Sequence, residues 1–375
     1  MSSGKNEKSS PVSARSNAAL RCVAACVAAV FLGGGVPAVS AQEAPEREPA
    51  ERVDLPPLTA QVSPELALAA IKRRAQKILE ARRAARRLKF SGEFSEVVAY
   101  ETNPATASSH KGDTSFEQNA SLTWSKKLTP TLTWLGTYYG TYLQYVEYHA
   151  GDYTDHIMTP LKLQWQPGRM WRLESWMDLE RNQYRDDGRD SSYKQIKLTG
   201  RIRQNLFDSW YHQAQYEYFG RDYTHKKARD GGGADTETYR KDGRHRWRYK
   251  VGTTFKKALL SVENDVYLND SNDASSDYYD YEVWKITSSA SGNATKKLYL
   301  SGSFAFERKN YRERPVSGIV EARYDDKYTL STSASYDLND AWRIAYGLTF
   351  DHLGSNEPTG EYDNAKHSLT LTAKF

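Results

Sequence analysis

The sequence has 375 residues, a mean hydropathy of −0.76 and a formal net charge of +5 at pH 7. So small a charge excess does not favour a nucleic-acid partner, and we expect none. Both cysteines, Cys22 and Cys26, lie near the N-terminus, which excludes disulfides and cysteine-ligated metals in the rest of the chain. The chain carries 26 Tyr and 9 Trp against 4 Met, an aromatic load typical of β-strands with one apolar and one wet face.

Residues 1–41 have the pattern of a secretory signal peptide. Basic residues precede an apolar run from Cys22 to Leu32, and the small residues Val39-Ser40-Ala41 offer a cleavage site before Gln42. A lipobox ending at Cys26 is a weaker alternative, because Arg21 leaves almost no apolar run before that cysteine. The pattern predicts export across the inner membrane.

Two segments precede the region of strands. Residues 42–62 form a Pro/Glu-rich linker that we expect to be disordered. Residues 63–89 predict one basic amphipathic α-helix, which begins at Ser63-Pro64-Glu65 with an N-cap hydroxyl and a proline in the first turn. Its polar face carries Lys72, Arg73, Arg74, Lys77, Arg82, Arg83, Arg86 and Arg87. In the periplasm this helix would bind an acidic partner or an anionic polymer, dock at a barrel mouth, self-associate, or serve as a solvated spacer.

From residue 90 to residue 375 the apolar period changes from 3.6 to 2. Trp342, Ile344, Tyr346, Leu348 and Phe350, for example, alternate with small or polar residues. Six tight turns alternate with seven longer polar connections, the longest at about 222–243. This alternation predicts an all-β fold, an antiparallel transmembrane β-barrel of about 14 strands, with 12 to 16 possible. The period slips around 279–286, which predicts a bulge near Trp284.

Aromatic residues are sorted by the length of the nearest connection. The tryptophans near tight turns are Trp124, Trp134, Trp165, Trp171, Trp210 and Trp342. The tyrosines that crowd the opposite strand ends are Tyr142, Tyr145, Tyr148, Tyr184, Tyr218, Tyr223, Tyr278, Tyr279, Tyr311 and Tyr324. This sorting predicts two aromatic girdles at the membrane interfaces. The apolar residues of the final strand are Leu369, Leu371, Ala373 and Phe375. They resemble the C-terminal signature of bacterial outer-membrane barrels, which the barrel-assembly machinery reads.

Strand parity places charges of alternating sign on the inward faces of the fifth to ninth strands. This lumen charge ladder comprises Arg172, Glu174, Asp178, Glu180, Lys197, Arg201, Arg203, Glu217, Arg246, Arg248, Lys250, Glu263 and Asp265. It either orients a polar solute in transit or braces the wall and sets strand register. The near balance of signs argues against a strongly ion-selective pore.

An enzymatic site finds little support in the sequence. The eight histidines are scattered, and G-x-S-x-G, H-E-x-x-H and Gly-rich phosphate loops are missing. His212, next to Ser209, falls on the lipid face by parity. We therefore predict that the chain is not an enzyme and has no cofactor or metal site.

The opening strand reads Val97-Val98-Ala99-Tyr100-Glu101-Thr102-Asn103-Pro104. It resembles the first strand of a broad β-barrel porin group of outer-membrane proteins, some of which are associated with exopolysaccharide export or surface lipoprotein assembly. The lipoprotein-assembly members carry helical repeats that this chain lacks. The resemblance implies a porin that passes polar solutes by diffusion, with outer-membrane lipid and lipopolysaccharide around it. The alternative is a non-conducting scaffold or export partner that uses the basic helix to recruit a periplasmic component. The sequence leaves the oligomeric state open.

Overall fold

The computed structural model describes residues 72–74, 76–77, 87–105, 111–207, 209–255, 257–274, 279–316 and 321–375. The predicted signal peptide, the linker and most of the basic segment lie outside the described residues. Residues 72–74 and 76–77 are helical. None of the described helices is long and apolar enough to cross a membrane.

Fourteen antiparallel strands form a closed barrel in which each strand pairs with its neighbours along the chain and β1 pairs with β14. The strands are β1 (Lys89–Glu101), β2 (Asp113–Lys127), β3 (Leu132–Tyr145), β4 (Tyr153–Trp165), β5 (Trp171–Tyr184), β6 (Tyr193–Leu206), β7 (Trp210–Arg229), β8 (Asp235–Phe255), β9 (Ala258–Ser271), β10 (Tyr281–Asn293), β11 (Leu298–Pro315), β12 (Ala322–Asp337), β13 (Trp342–Ser355) and β14 (Tyr362–Lys374). The predicted fold class and strand number are therefore confirmed.

Short and long connections alternate along the chain, so all the short ones lie at one end of the barrel and all the long ones at the other. The short ones are 128–131, 166–170, 207–209, 256–257, 294–297 and 338–341. Three of the long ones contain the 3₁₀ helices His149–Gly151, Asp186–Ser191 and Pro358–Gly360. We call the two ends the short-turn end and the long-connection end.

The predicted long loop at 222–243 is wrong, because most of it continues the hairpin of β7 and β8. The turn occupies only residues 230–234, where Gly233 has a φ of 85°. The register of the two strands shifts between Asp222 and Lys227, so the extension is irregularly paired. Cations on both faces of this segment hid its period of two.

The bulge predicted near Trp284 is also wrong. Strand β10 pairs in continuous register with both β9 and β11 through this residue. A bulge does occur on β4, around Pro160, where the β4–β5 register shifts between Met158 and Leu161. Proline has no N–H to donate to the ladder, so a bulge accommodates it there.

The ring closes where the two strands furthest apart in the sequence meet. Beyond the last paired residues, the Gly92 N–H donates to the Phe375 carbonyl at 2.8 Å, and the Phe375 N–H donates back at 3.0 Å. The Phe375 ring lies over Gly92, where a Cβ would stand 2.3 Å from a ring carbon. Arg87 lies in a bend and Lys89 already pairs with Ser125 of β2, so the helix predicted for residues 63–89 does not include residues 87–89.

Polarity is inverted relative to a water-soluble domain. Large apolar side chains such as Val98, Phe116 and Leu198 are exposed on the outside. Buried residues are mostly polar or charged, for example Glu217 and Asp265. The strands thus present an apolar outer face and a polar lumen, as transmembrane barrels do.

Candidate functional site in the barrel lumen

A cluster of three cations on one acid lies in the lumen toward the short-turn end of β4–β6. Glu174 is buried, and its carboxylate contacts Arg201 directly. Arg172 Nε lies 3.2 Å from Glu174 Oε1, and Lys162 Nζ lies 3.9 Å from the same oxygen. The ring of Trp176 lies beneath two of these cations, 4.6 Å from Lys162 Nζ and 5.1 Å from Arg201 Cζ. We call these residues the Glu174 cluster.

The next two acids of β5 are each held by several donors. Asp178 pairs with Lys197 at 2.6 Å and accepts hydrogen bonds from the Thr159 hydroxyl at 2.5 Å and the Trp176 indole at 3.2 Å. Glu180 accepts from the Tyr193 hydroxyl at 2.5 Å and from the Gln195 amide at 2.6 Å. Both carboxylates are thereby fixed against the barrel wall.

Strands β7–β9 form a second network, in which three cations of β8 alternate with acids on both sides. Arg246 Nε donates to both oxygens of Asp265 at 2.9 Å, and its Nη1 lies 3.6 Å from Glu217. Arg248 contacts Glu217 directly and approaches Glu263 at 3.9 Å. Lys250 lies 3.8 Å from the same Glu263 carboxylate. Here charges of opposite sign balance three to three.

Arg203, the remaining member of the ladder, pairs with no carboxylate among the residues that the structure describes. Its Nε donates to the Asn205 amide oxygen at 3.0 Å, and its guanidinium lies 3.7 Å from the ring centroid of Tyr211. Together with Lys162, which sequence reasoning missed, the ladder residues line the lumen side of β4–β9. We call this surface the charged wall.

Acids and cations of the charged wall differ in exposure. The side chains of Glu174, Asp178, Glu217 and Asp265 are 2–7% exposed. The seven cations that pair with acids here are 25–39% exposed. Short carboxylates lie close to the backbone and longer cations reach over them, so these cations are more exposed to the lumen than the four buried acids.

The opposite side of the lumen carries hydroxyl groups. We use the name hydroxyl wall for seven of the lumen-facing Ser and Thr residues of β10–β13: Ser289, Ser291, Ser301, Ser303, Ser331, Ser333 and Thr349. Cross-strand hydrogen bonds join Ser301 to Ser333 at 2.7 Å and Ser331 to Thr349 at 3.2 Å. Two ion pairs on this side are one to one: Lys285 with Glu307 and Lys327 with Asp351, both at 3.4 Å.

Tyrosines and cations line the lumen toward the long-connection end. Lys309 Nζ lies 3.8 Å from the ring centroid of Tyr281 and 4.4 Å from that of Tyr311. Arg244 donates to the Tyr281 hydroxyl at 2.8 Å, and Arg240 lies buried over the Tyr279 ring at 3.2 Å. Sequence reasoning missed the cations Lys309, Arg244 and Arg240. Extending the parity of Arg246 and Arg248 backward along β8 would have identified Arg240 and Arg244.

The six predicted girdle tryptophans lie near the short-turn end with their strand parity outward. Trp165, Trp171, Trp210 and Trp342 are exposed, and Trp124 covers Gly136, where a Cβ would meet the indole at 2.2 Å. The Trp134 indole donates to the Pro160 carbonyl at 3.3 Å.

The expectation of a second girdle made of the tyrosines is wrong for several of them. Tyr145 and Tyr311 are buried toward the lumen, where they donate to Glu101 at 3.0 Å and to Asp325 at 3.2 Å. Tyr278 lies outside the described residues. The prediction used only the position of each tyrosine along its strand. Successive side chains of a strand point to opposite faces, so some of these rings face the lumen.

The predicted terminal signal and basic helix are described in part. Leu369, Leu371 and Phe375 are exposed on the outer face, and Ala373 shares that face with Trp342. Lys72, Arg73, Arg74 and Lys77 are helical and exposed, Arg87 is exposed outside the helix, and Arg82, Arg83 and Arg86 lie outside the described residues.

Histidines on the outer face are held by tyrosines. The Tyr249 hydroxyl lies 3.3 Å from His212 Nδ1, and Gln204 lies 2.7 Å from its Nε2. Equivalent tyrosine–histidine contacts of 2.7–2.8 Å involve His156, His245 and His367. In the part of the chain that the structure describes, no group of three or more His, Cys, Asp or Glu side chains is placed to hold a metal ion.

Comparisons with known proteins find similar barrels among solved structures. OmpT, an outer-membrane protein of Vibrio cholerae, has 8% identity and a TM-score of 0.46, covering 77% of this chain and 97% of its own. A deltaS2 mutant of the TodX monoaromatic hydrocarbon channel has 9% identity and a TM-score of 0.42, covering 77% and 90%. An outer-membrane channel from Pseudomonas putida F1 has 11% identity and a TM-score of 0.39, covering 76% and 96%. No family model and no curated protein matches. At such low identity the likeness does not define the function of this chain.

Proposed function

We propose that this chain spans the bacterial outer membrane as a channel and passes polar solutes by diffusion through its lumen. The observation that carries the proposal is the inverted polarity of a closed ring. Apolar side chains are exposed outside, and polar ones line the interior. A closed barrel satisfies its backbone hydrogen bonds without water, which lets the outer face contact lipid.

Accessible space within the ring supports conduction. Lumen-facing cations such as Arg172, Lys250 and Lys327 have side chains that are 29–39% exposed. Barrels of this strand number enclose more volume than their inward side chains fill. A solute would therefore move along a path between the charged wall and the hydroxyl wall.

The same proposal assigns orientation and partners. The short-turn end would face the periplasm and the long-connection end the outside, where lipopolysaccharide surrounds the rim. The barrel-assembly machinery would read Leu369, Leu371, Ala373 and Phe375. That the chain is not an enzyme stays a prediction.

Planar-bilayer recording tests the proposal. Protein extracted from outer membranes should give steady single-channel current steps, and the same preparation after boiling should give none. A shift in gel mobility on boiling would show that the unboiled sample holds a folded barrel. Folded barrel without current steps, or protein that is soluble without detergent, would contradict the proposal.

A second candidate is a scaffold or export partner that works through the basic helix. The exposed cations Lys72, Arg73, Arg74 and Lys77 favour this candidate, since they could attract an acidic protein or an anionic polymer. Replacing these four residues by Gln should leave channel steps unchanged if the barrel alone conducts. Loss of a co-purifying periplasmic component, with a silent barrel in both forms, would support the scaffold instead.

A further inference from the structure

We infer that the Glu174 cluster is an anion-binding site in the lumen, and that it makes the channel prefer anions. This inference rests on the proposed channel function and names the class of solute. It differs from the expectation of weak selectivity, which came from counting charges without their exposure.

The cluster has a local excess of positive charge. Lys162, Arg172 and Arg201 converge on the single carboxylate of Glu174. The β7–β9 network, in contrast, opposes three cations with three acids. Three cations and one carboxylate give the cluster a formal net charge of about +2.

One further cation beside the cluster, Arg203, has no acid partner among the described residues. Arg203 lies directly opposite Arg172 in the β5–β6 register, so it adds a positive charge beside the cluster. Arg203 donates a hydrogen bond to the neutral amide of Asn205, and its guanidinium stacks on the Tyr211 ring. Such crowding of like charges is relieved when an anion enters.

Geometry directs this charge toward a solute. Glu174 is buried against the wall, while the side chains of Lys162 and Arg172 are 25% and 39% exposed in the lumen. Guanidinium groups offer a planar fork of N–H donors that matches carboxylate or phosphate oxygens. The site would therefore take small carboxylate- or phosphate-bearing anions, as well as chloride.

The test compares two double variants that remove the same charge. Lys162→Gln with Arg172→Gln depletes the cluster and keeps Arg201, so that Glu174 retains a partner. Lys285→Gln with Lys327→Gln removes two cations that pair one to one with Glu307 and Asp351. Unboiled gel mobility identifies the folded barrels.

Reversal potentials in a KCl gradient give the first readout. We expect the wild-type channel to prefer chloride over potassium. Its permeability ratio should fall by roughly threefold in the cluster variant, because fixed charge raises the local counter-ion concentration. The Lys285/Lys327 variant should stay close to wild type. A wild-type channel without anion preference, or equal falls in both variants, would overturn the inference while leaving the channel intact.

Inorganic phosphate gives the second readout. Added to KCl, it should reduce the wild-type chloride current by occupying the cluster, and it should reduce the current less in the cluster variant. An equal reduction of the current in the wild type and the cluster variant would mean that phosphate binds elsewhere, and would overturn the assignment of the Glu174 cluster as the anion site. Absence of any channel from folded wild-type protein would instead refute the proposed function, and the inference with it.

Discussion

The charged wall and the hydroxyl wall close the same ring with different chemistry. Strands β4–β9 carry ion pairs in the lumen, whereas β10–β13 are joined there largely by serine and threonine hydroxyls. Both halves keep continuous ladders over most of their length. Regular strand pairing is thus kept where ion pairs are fewer. Under the proposed function, the ion pairs of β4–β9 would act on the solute.

Removal of a buried acid should give the largest difference in stability loss between the two walls. Glu217→Gln leaves Arg246 and Arg248 without their shared carboxylate. We expect a loss of about 3 kcal/mol in the free energy of unfolding, the low end for breaking a buried ion pair, since the arginines stay partly solvated. Ser301→Ala, which removes one hydroxyl pair, should cost about 1 kcal/mol. Urea titration of the folded band on unboiled gels measures the stability of both variants. Equal losses would contradict the expected difference between the two walls.

The same substitution can be placed on each wall for a finer comparison. Lys197→Gln removes the cation from Asp178, which is buried, and should cost about 2 kcal/mol. Lys285→Gln removes the cation from Glu307, whose side chain is 23% exposed, and should cost about 0.5 kcal/mol. The difference between the two urea midpoints is the measurement. A larger shift for Lys285→Gln would mean that burial does not set the cost.

The smallest effect is expected at the long-connection end, outside both walls. Burial alone would raise the pKa of Asp113, but the backbone N–H groups of Tyr148, Glu147 and Thr114 donate to its carboxylate and lower that pKa below its usual value. The stabilisation is therefore complete above the ordinary pKa of Asp and is lost as pH falls through the lowered one.

Asp113→Asn should remove this stabilisation at neutral pH. Hydrogen exchange should show several-fold weaker protection of the Glu147 and Tyr148 amides, with the rest of the barrel unchanged. Asp340→Asn, in a short turn at the other end, serves as the matched control. Unchanged protection in the Asp113 variant would show that the charge is not what holds this connection.

Alternating apolar residues and turn lengths predicted the ring because both follow from contact with lipid. Beyond the apolar band these signals end, which is why the extension of β7 and β8 was mistaken for a loop. Near Trp284 the error was different. Val283 is inward and 1% exposed, so an apolar residue on the lumen side imitated a change of face. Its neighbour Lys285 keeps regular parity.

Parity also predicted which charges share the lumen, but it could not rank their exposure. Which partner covers the other depends on side-chain length and rotamer, as the exposed head of Arg172 over Glu174 illustrates. Lys162 was missed for a local reason. It follows the bulge at Pro160, which shifts the parity that would have placed it.

The seam between β1 and β14 bears on how the barrel is made. Pairings such as Glu93 with Lys374 join residues 281 positions apart, whereas every other pair of strands is adjacent in the chain. A shorter stretch of strands would form hairpins and sheets yet keep two unpaired edges, each a template for aggregation. Closure is therefore a property of the complete set of strands, and a cell that makes this protein must shield two open edges until that set is present.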